Sequence, residues 1–244
     1  MSLLALIVVA GAWADDATDR ARELTQQARS QYAAGQTSKA IALLEEALAL
    51  CPTYTAAQPL LAVAYQTAGD VDKALDHYWA AQRASFPAPA INASESSLRT
   101  RELLVQTESL LVMLANRDRL EQKLRPLLSD PVLARIARQH SDEMRDLKYF
   151  SHESPTEGLK TINDRFRRVV TPTGAWAIAE NIAQRYAEGM YSLTLPNAKR
   201  THGDWMCSPG HKANLLSPEL EKLGVGIAVN EKGDYWATEF FATY

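Results

Sequence analysis

The chain has 244 residues, 46% of them hydrophobic and 23% charged, with a formal net charge of -3. That length suits one large domain or two modest ones, and the small net charge leaves no broad cationic field to hold nucleic acid or an anionic membrane. The densest basic group, Arg165, Arg167 and Arg168, reads as a solvated face or a local salt-bridge set.

Leu3 to Ala10 is an almost unbroken apolar run, too short to span a bilayer as a helix. Ala12-Trp13-Ala14 then puts small residues at the two positions a signal peptidase inspects, so residues 1–14 are expected to be an export signal. No later apolar run approaches spanning length, so no transmembrane segment is expected after cleavage. Export would place the chain in the periplasm or the medium. Such a compartment is oxidising, and Cys51 and Cys207 can pair there; geometry decides that, and spacing leaves it open.

Residues 15–90 are expected to be helical. Within them Ala28 and Ala62, Gly35 and Gly69, Lys39 and Lys73, Ala40 and Ala74, and Ala47 and Ala81 repeat at an offset of 34. Leu44 and Tyr78 share a bulky position of the second helix of each unit. Each unit reads as helix, Gly-centred turn and helix, closed by Pro52 and Pro87. Small residues at these sites let paired helices approach closely. This all-α unit resembles a pair of tetratricopeptide repeats, which implies a protein or peptide partner, or a docking platform for the second domain. Two repeats are few, and residues 91–105 are expected to link or cap them. Ser97 to Asn116 carries Leu98, Leu103, Leu104, Leu110, Leu111 and Leu114 as one broad apolar face.

The second domain is expected over residues 106–244. Asp130-Pro131 makes a helix start, with Asp as cap and Pro in the first turn. Leu133, Ile136, Ala137, His140, Met144 and Leu147 follow at helical spacing, which puts His140 on an apolar face as a core histidine. Gly224 to Asn230 and Tyr235 to Phe241 are β-rich and flank Gly233-Asp234, a hairpin. Helices first and an antiparallel hairpin last imply an α+β layered domain.

Several separate motifs in this half resemble one family. They are Asn116-Arg-Asp-Arg119, Ala137-Arg-Gln-His-Ser141, Tyr149-Phe-Ser-His152, Glu180-Asn-Ile-Ala183, Trp205-Met-Cys-Ser-Pro-Gly-His-Lys-Ala-Asn-Leu-Leu216 and Gly224-Val-Gly226. Their order is similar to that of the CAP superfamily (the SCP domain of cysteine-rich secretory, antigen 5 and pathogenesis-related 1 proteins), in its bacterial branch. The resemblance implies an α-β-α sandwich with an antiparallel sheet and a cleft. By motif, His152 and His211 match the two cleft histidines of eukaryotic members, and Glu180 matches the first glutamate. The remaining acidic position, three residues after Trp205, is Ser208 here, a departure that weakens any chemistry needing a second carboxylate.

The cleft set is therefore His152, Glu180, His211, Ser208 and Asn214. Two imidazoles and a carboxylate form a first shell for a divalent metal, zinc foremost, at His152, Glu180 and His211. Without metal the same groups can act as a base and its orienting partner, or as a polar frame that fixes loops. Their spacings of 28 and 31 residues carry no local metal signature. No Gly-x-Ser-x-Gly elbow is present, so Ser151, Ser154 and Ser208 read as turn and cap residues. Cys207 beside Trp205 reads as a buried small residue. The reading is an exported protein that binds a ligand in its cleft and a partner through its helical repeats. The alternatives are a metal-dependent hydrolase of cell-envelope peptides or polysaccharide, and a purely structural interaction protein.

Overall fold

The computed structural model describes residues 3–90, 93–187 and 193–244, with side chains from residue 16 onward. The expected export signal at 1–14 lies outside the residues whose side chains are described. No described helix is long and apolar enough to cross a membrane. The chain divides into two compact units, Met1–His77 and Tyr78–Tyr244.

The first unit is made of α1 (Leu3–Ala33), α2 (Thr37–Leu50), α3 (Gln58–Ala68) and the start of α4 (Val71–Arg83). The alanines predicted to repeat are the ones that vanish from the surface. Ala28 and Ala62, Ala40 and Ala74, and Ala47 and Ala81 are all buried, while Lys39 and Lys73 are exposed. Gly35 and Gly69 close their helices at φ +75 and +86. After each glycine the next amide bonds back into the helix, Gln36 N–H to the Gln31 carbonyl and Asp70 N–H to that of Tyr65. A side chain at a left-handed φ is strained, so the repeat fixes glycine there. Ala21, Leu24 and Ala47 form the local core with Leu43, Cys51 and Tyr54 packed against it.

The second unit carries a four-stranded sheet in the order β1-β3-β4-β2. The strands are β1 (Leu128–Ser129), β2 (Ala177–Arg185), β3 (Lys222–Val229) and β4 (Tyr235–Thr243). β1 runs parallel to β3; the other pairs are antiparallel, with Glu180 opposite Phe240 and Asn181 opposite Glu239. α6 (Pro131–Asp146) and α7 (Ile162–Arg167) cover one face. α5 (Glu95–Glu121), α8 (Leu195–Cys207) and α9 (Pro209–Leu215) cover the other, completing an α-β-α sandwich. Residues 95–105, expected to link or cap, run on without a break into the rest of α5.

α6 starts where the sequence puts it. The Asp130 carboxylate accepts from the Val132 and Leu133 amides at 2.8 and 3.0 Å. Leu133, Ile136 and Ala137 pack with Phe166 and Phe240, while Met144 packs with Ile182 and Trp236. The helix lies against β3 because two glycines leave room: a Cβ at Gly224 would sit 2.1 Å from Ala134 N, and one at Gly226 2.1 Å from Arg138 N. Arg119, fully buried near the end of α5, donates to the carbonyls of Arg125, Leu215, Ser217 and Leu220. It thereby ties the α9–β3 connection to the sandwich, and burial lowers its pKa to about 10.

One expectation needs correction: Cys207 is exposed, because it ends α8 with its side turned from the face that buries Trp205. Of the basic trio, Arg167 and Arg168 are solvated, while Arg165 is only 4% exposed and forms a salt bridge with Glu180. It falls on the α7 face that also buries Phe166. Cys51 and Cys207 are both free thiols.

Candidate functional site

The site is assembled from three directions, and Glu180 of β2 is its base. Alternation along β2 sends Glu180 and Ile182 toward α6, and Asn181 toward α9. Glu180 Oε1 accepts from His152 Nδ1 at 2.8 Å, and Oε2 accepts from Arg165 at 2.7 Å. The His140 ring lies 3.9 Å from the same Oε1. Burial alone would raise the Glu180 carboxyl. The His152 hydrogen bond and the Arg165 charge outweigh it and hold the group below the usual carboxylate range.

An ionised Glu180 orients the His152 ring: Nδ1–H donates to it, which leaves Nε2 as the ring nitrogen not engaged by the carboxylate. The His152 side chain is 53% exposed, whereas that of Glu180 is 2% exposed, so the imidazole is the accessible end of a buried pair. The loop that carries it is pinned twice. Arg165 donates to the His152 carbonyl at 3.1 Å, and His140 Nε2–H donates to the Ser151 carbonyl at 3.1 Å. His140 is the core histidine the sequence predicts, 1% exposed, with burial pushing its pKa down so that it stays neutral.

Beneath the same loop Glu143 gathers three hydroxyls, from Tyr149 at 2.7 Å, from Ser154 at 2.8 Å, and from Thr156. Burial opposes ionisation there too, but the three donors prevail and lower the Glu143 pKa.

His211 approaches from α9. Asn214 fastens that helix to β2, donating to the Glu180 carbonyl at 3.2 Å and to Asn181 Oδ1 at 2.9 Å. Asn181 Nδ2–H is directed at the His211 carbonyl, 3.2 Å, and at Glu239 Oε2, 2.9 Å. Burial lowers the His211 pKa, and the nearby His152 lowers it further. Ser208 stands at the junction of α8 and α9, where its hydroxyl makes no cap bond. Its place is set by Trp205, whose indole donates to the Ile182 carbonyl at 3.1 Å.

The structure thus joins His152 to Glu180 directly, sets His211 near His152, and ties Asn214 to the main chain of Glu180. Among the described residues no three His, Cys, Asp or Glu groups are arranged to hold an ion.

A family model of the cysteine-rich secretory protein family, CAP, matches residues 112–243, which contain every one of these side chains. The chain belongs to that family. A tetratricopeptide-repeat model matches residues 31–78. This CAP protein is 30% identical over 183 residues to the protein YkwD of Bacillus subtilis (strain 168), covering 72% of this chain and 63% of that one. It is 28% identical over 132 residues to the membrane protein YlbC of the same organism, covering 54% and 34%. The chain therefore spans less than two thirds of the length of either relative. A solved structure of an extracellular SCP-domain protein from Bacillus anthracis str. Ames is 29% identical. It covers 64% of this chain and 45% of that one, with a TM-score of 0.49.

Sequence reasoning missed Arg165, Glu143 and Asn181, on which the CAP cleft rests. One signal for Arg165 was available. Thr161 and Asp164 form a capping box, and from that start Ile162, Arg165 and Phe166 share one inward face.

Proposed function

We propose that this CAP protein is an exported, periplasmic or secreted binding protein of a bacterium, whose cleft receives a ligand between His152 and His211. One observation carries the reading: a half-exposed imidazole held in a fixed orientation by a buried, Arg-paired carboxylate. Such pre-organisation lowers the ordering cost of binding. The helical repeats would attach the domain to a protein partner, as tetratricopeptide arrays do.

The donor set also bears on zinc. Both Glu180 oxygens are already engaged, so Glu180 fits the role of orienting carboxylate behind a ligating histidine. His152, through Nε2, and His211 would hold the ion, which would polarise a ligand oxygen when bound. Two imidazoles are fewer than the three protein ligands of a catalytic zinc, and Ser208 replaces the second carboxylate. That balance favours reversible binding over the hydrolase reading.

The test is calorimetry with zinc on the metal-stripped chain beside a His152→Ala/His211→Ala double variant. Dissociation constants of about micromolar or tighter, lost in the double variant, support the metal-assisted cleft. Binding that the double variant retains removes metal from the reading. In the absence of binding, the cleft is a purely organic one.

A further inference from the structure

A second cavity, of about 370 Å³, lies between α6 and α7 and touches neither His152 nor His211. Its size falls at the lower end of the range for small-molecule sites. Ile136, Leu159 and Val169 give it apolar walls, while Arg165, Arg168 and Glu143 bring charge to it. Helical spacing explains the mixture: Ile136 and Glu143 are seven residues apart on one stripe of α6, and Arg168, the C-cap of α7, follows Arg165 by one turn.

The charged groups are not all satisfied. Arg165 gives one guanidinium nitrogen to Glu180 and the other to the His152 and Leu159 carbonyls. Its Nε–H, on a side chain 4% exposed, has no acceptor among the described residues. A buried donor left in that state loses a hydrogen bond that a ligand can restore. Arg168 is exposed and makes no ion pair among the described residues. Glu143 retains its negative charge beneath the three hydroxyls, and its side chain keeps 14% exposure. The cavity is therefore lined by two guanidinium groups at and just after α7, by the Glu143 carboxylate of α6, whose oxygens already accept three hydroxyls, and by apolar side chains.

We infer that this cavity binds a small zwitterion with an apolar side chain, an α-amino acid of about leucine's size, its carboxylate received by Arg165 Nε and Arg168 and its ammonium by Glu143. Simple anions would meet the Glu143 charge, and simple amines the two guanidinium groups, so neither alone matches both ends.

Calorimetric titration of the full chain with L-leucine tests this. Saturable one-to-one binding is expected, weakened at least about ten-fold by Arg168→Gln, which removes one charge-assisted contact. Isocaproate, which lacks the amine, and isoamylamine, which lacks the carboxylate, should each bind at least about ten-fold more weakly than leucine. Glu143→Gln should weaken leucine as well; Val169→Trp, at an exposed wall position, should block entry without touching the loop that Glu143 holds. The inference is overturned by an absence of saturable heat up to about 10 mM leucine, by unchanged binding in Arg168→Gln, or by either analogue matching leucine. His152→Ala should leave leucine binding in place, so the outcome is separate from that of the zinc experiment.

Discussion

Arg165 and Glu180 meet at 2.7 Å with 4% and 2% of their side chains exposed, and the accessible His152 stands on the pair. A buried ion pair of this kind adds little net stability compared with an apolar pair of the same shape, yet losing one partner leaves a charge stranded. Arg165→Met should therefore destabilise the chain by about 3 kcal/mol, read as a lowered urea midpoint. Adding Glu180→Gln to it should recover part of that loss. A single variant as stable as the parent would mean that solvent reaches the pair.

Acid should unfold the second unit earlier than its carboxylates alone would require. Burial holds the pKa of both His140 and His202 below the ordinary 6.5. Between the lowered value and 6.5 the unfolded chain takes up protons that the folded chain refuses, so stability falls as pH drops through that window. Glu180, lowered from 4.5, adds a further loss at more acid pH. Because Glu239 opposes this trend over the same interval, the test is differential: relative to the parent, the urea midpoint of His202→Gln should improve steadily as pH falls from 7.5 to 5.0. A parent–variant difference independent of pH across that interval would contradict this account.

Glu239 acts in the opposite sense. It is wholly buried between Asn181 and Val225 in the sheet, with one oxygen bonded to Asn181 and the other without a partner among the described residues. Burial raises its pKa from 4.5 to about 8. Its folded form keeps a proton that the unfolded chain gives up above 4.5, so this residue costs stability increasingly as pH rises toward 8. Glu239→Gln should therefore stabilise the chain at pH 7.5 by at least about 1 kcal/mol, with little effect at pH 4.5.

Glycine at 226 and glycine at 203 should behave in contrary ways. An alanine at 226 would drive its Cβ into the α6 backbone, 2.1 Å from Arg138 N, and should cost about 3 kcal/mol or prevent folding. At 203, inside α8, nothing lies within 4 Å, and alanine should add about 0.5 kcal/mol through helix propensity. Thermal melts of the two variants compare them directly.

The elements legible in the sequence are those that local chemistry specifies. The 34-residue offset located the buried alanines and the two left-handed glycines, Asp130-Pro131 located the α6 start, and β-rich composition on either side of Gly233-Asp234 located the β3–β4 hairpin. Motif order brought His152, Glu180 and His211 to one domain. Arg165 escaped because three arginines in four residues look solvated, and only the turn of a six-residue helix distinguishes the buried one. Glu143 escaped for a related reason: its three hydroxyl donors come from a loop without periodicity. Cys207 was misplaced by counting from Trp205, since a helix of 3.6 residues per turn turns a neighbour two places on well away from the core.

Asn181 and Asn214 clasp each other while bonding to the main chain of α9 and of β2 respectively. Displacing His211 therefore pulls on the strand that carries Glu180, and through Glu180 on His152. The main chain behind His211 is thus held to the strand behind Glu180 by a pair of amides. On the proposed binding role, such a cleft would sort its guests by span, admitting those that bridge a set width and turning away longer or shorter ones of equal polarity.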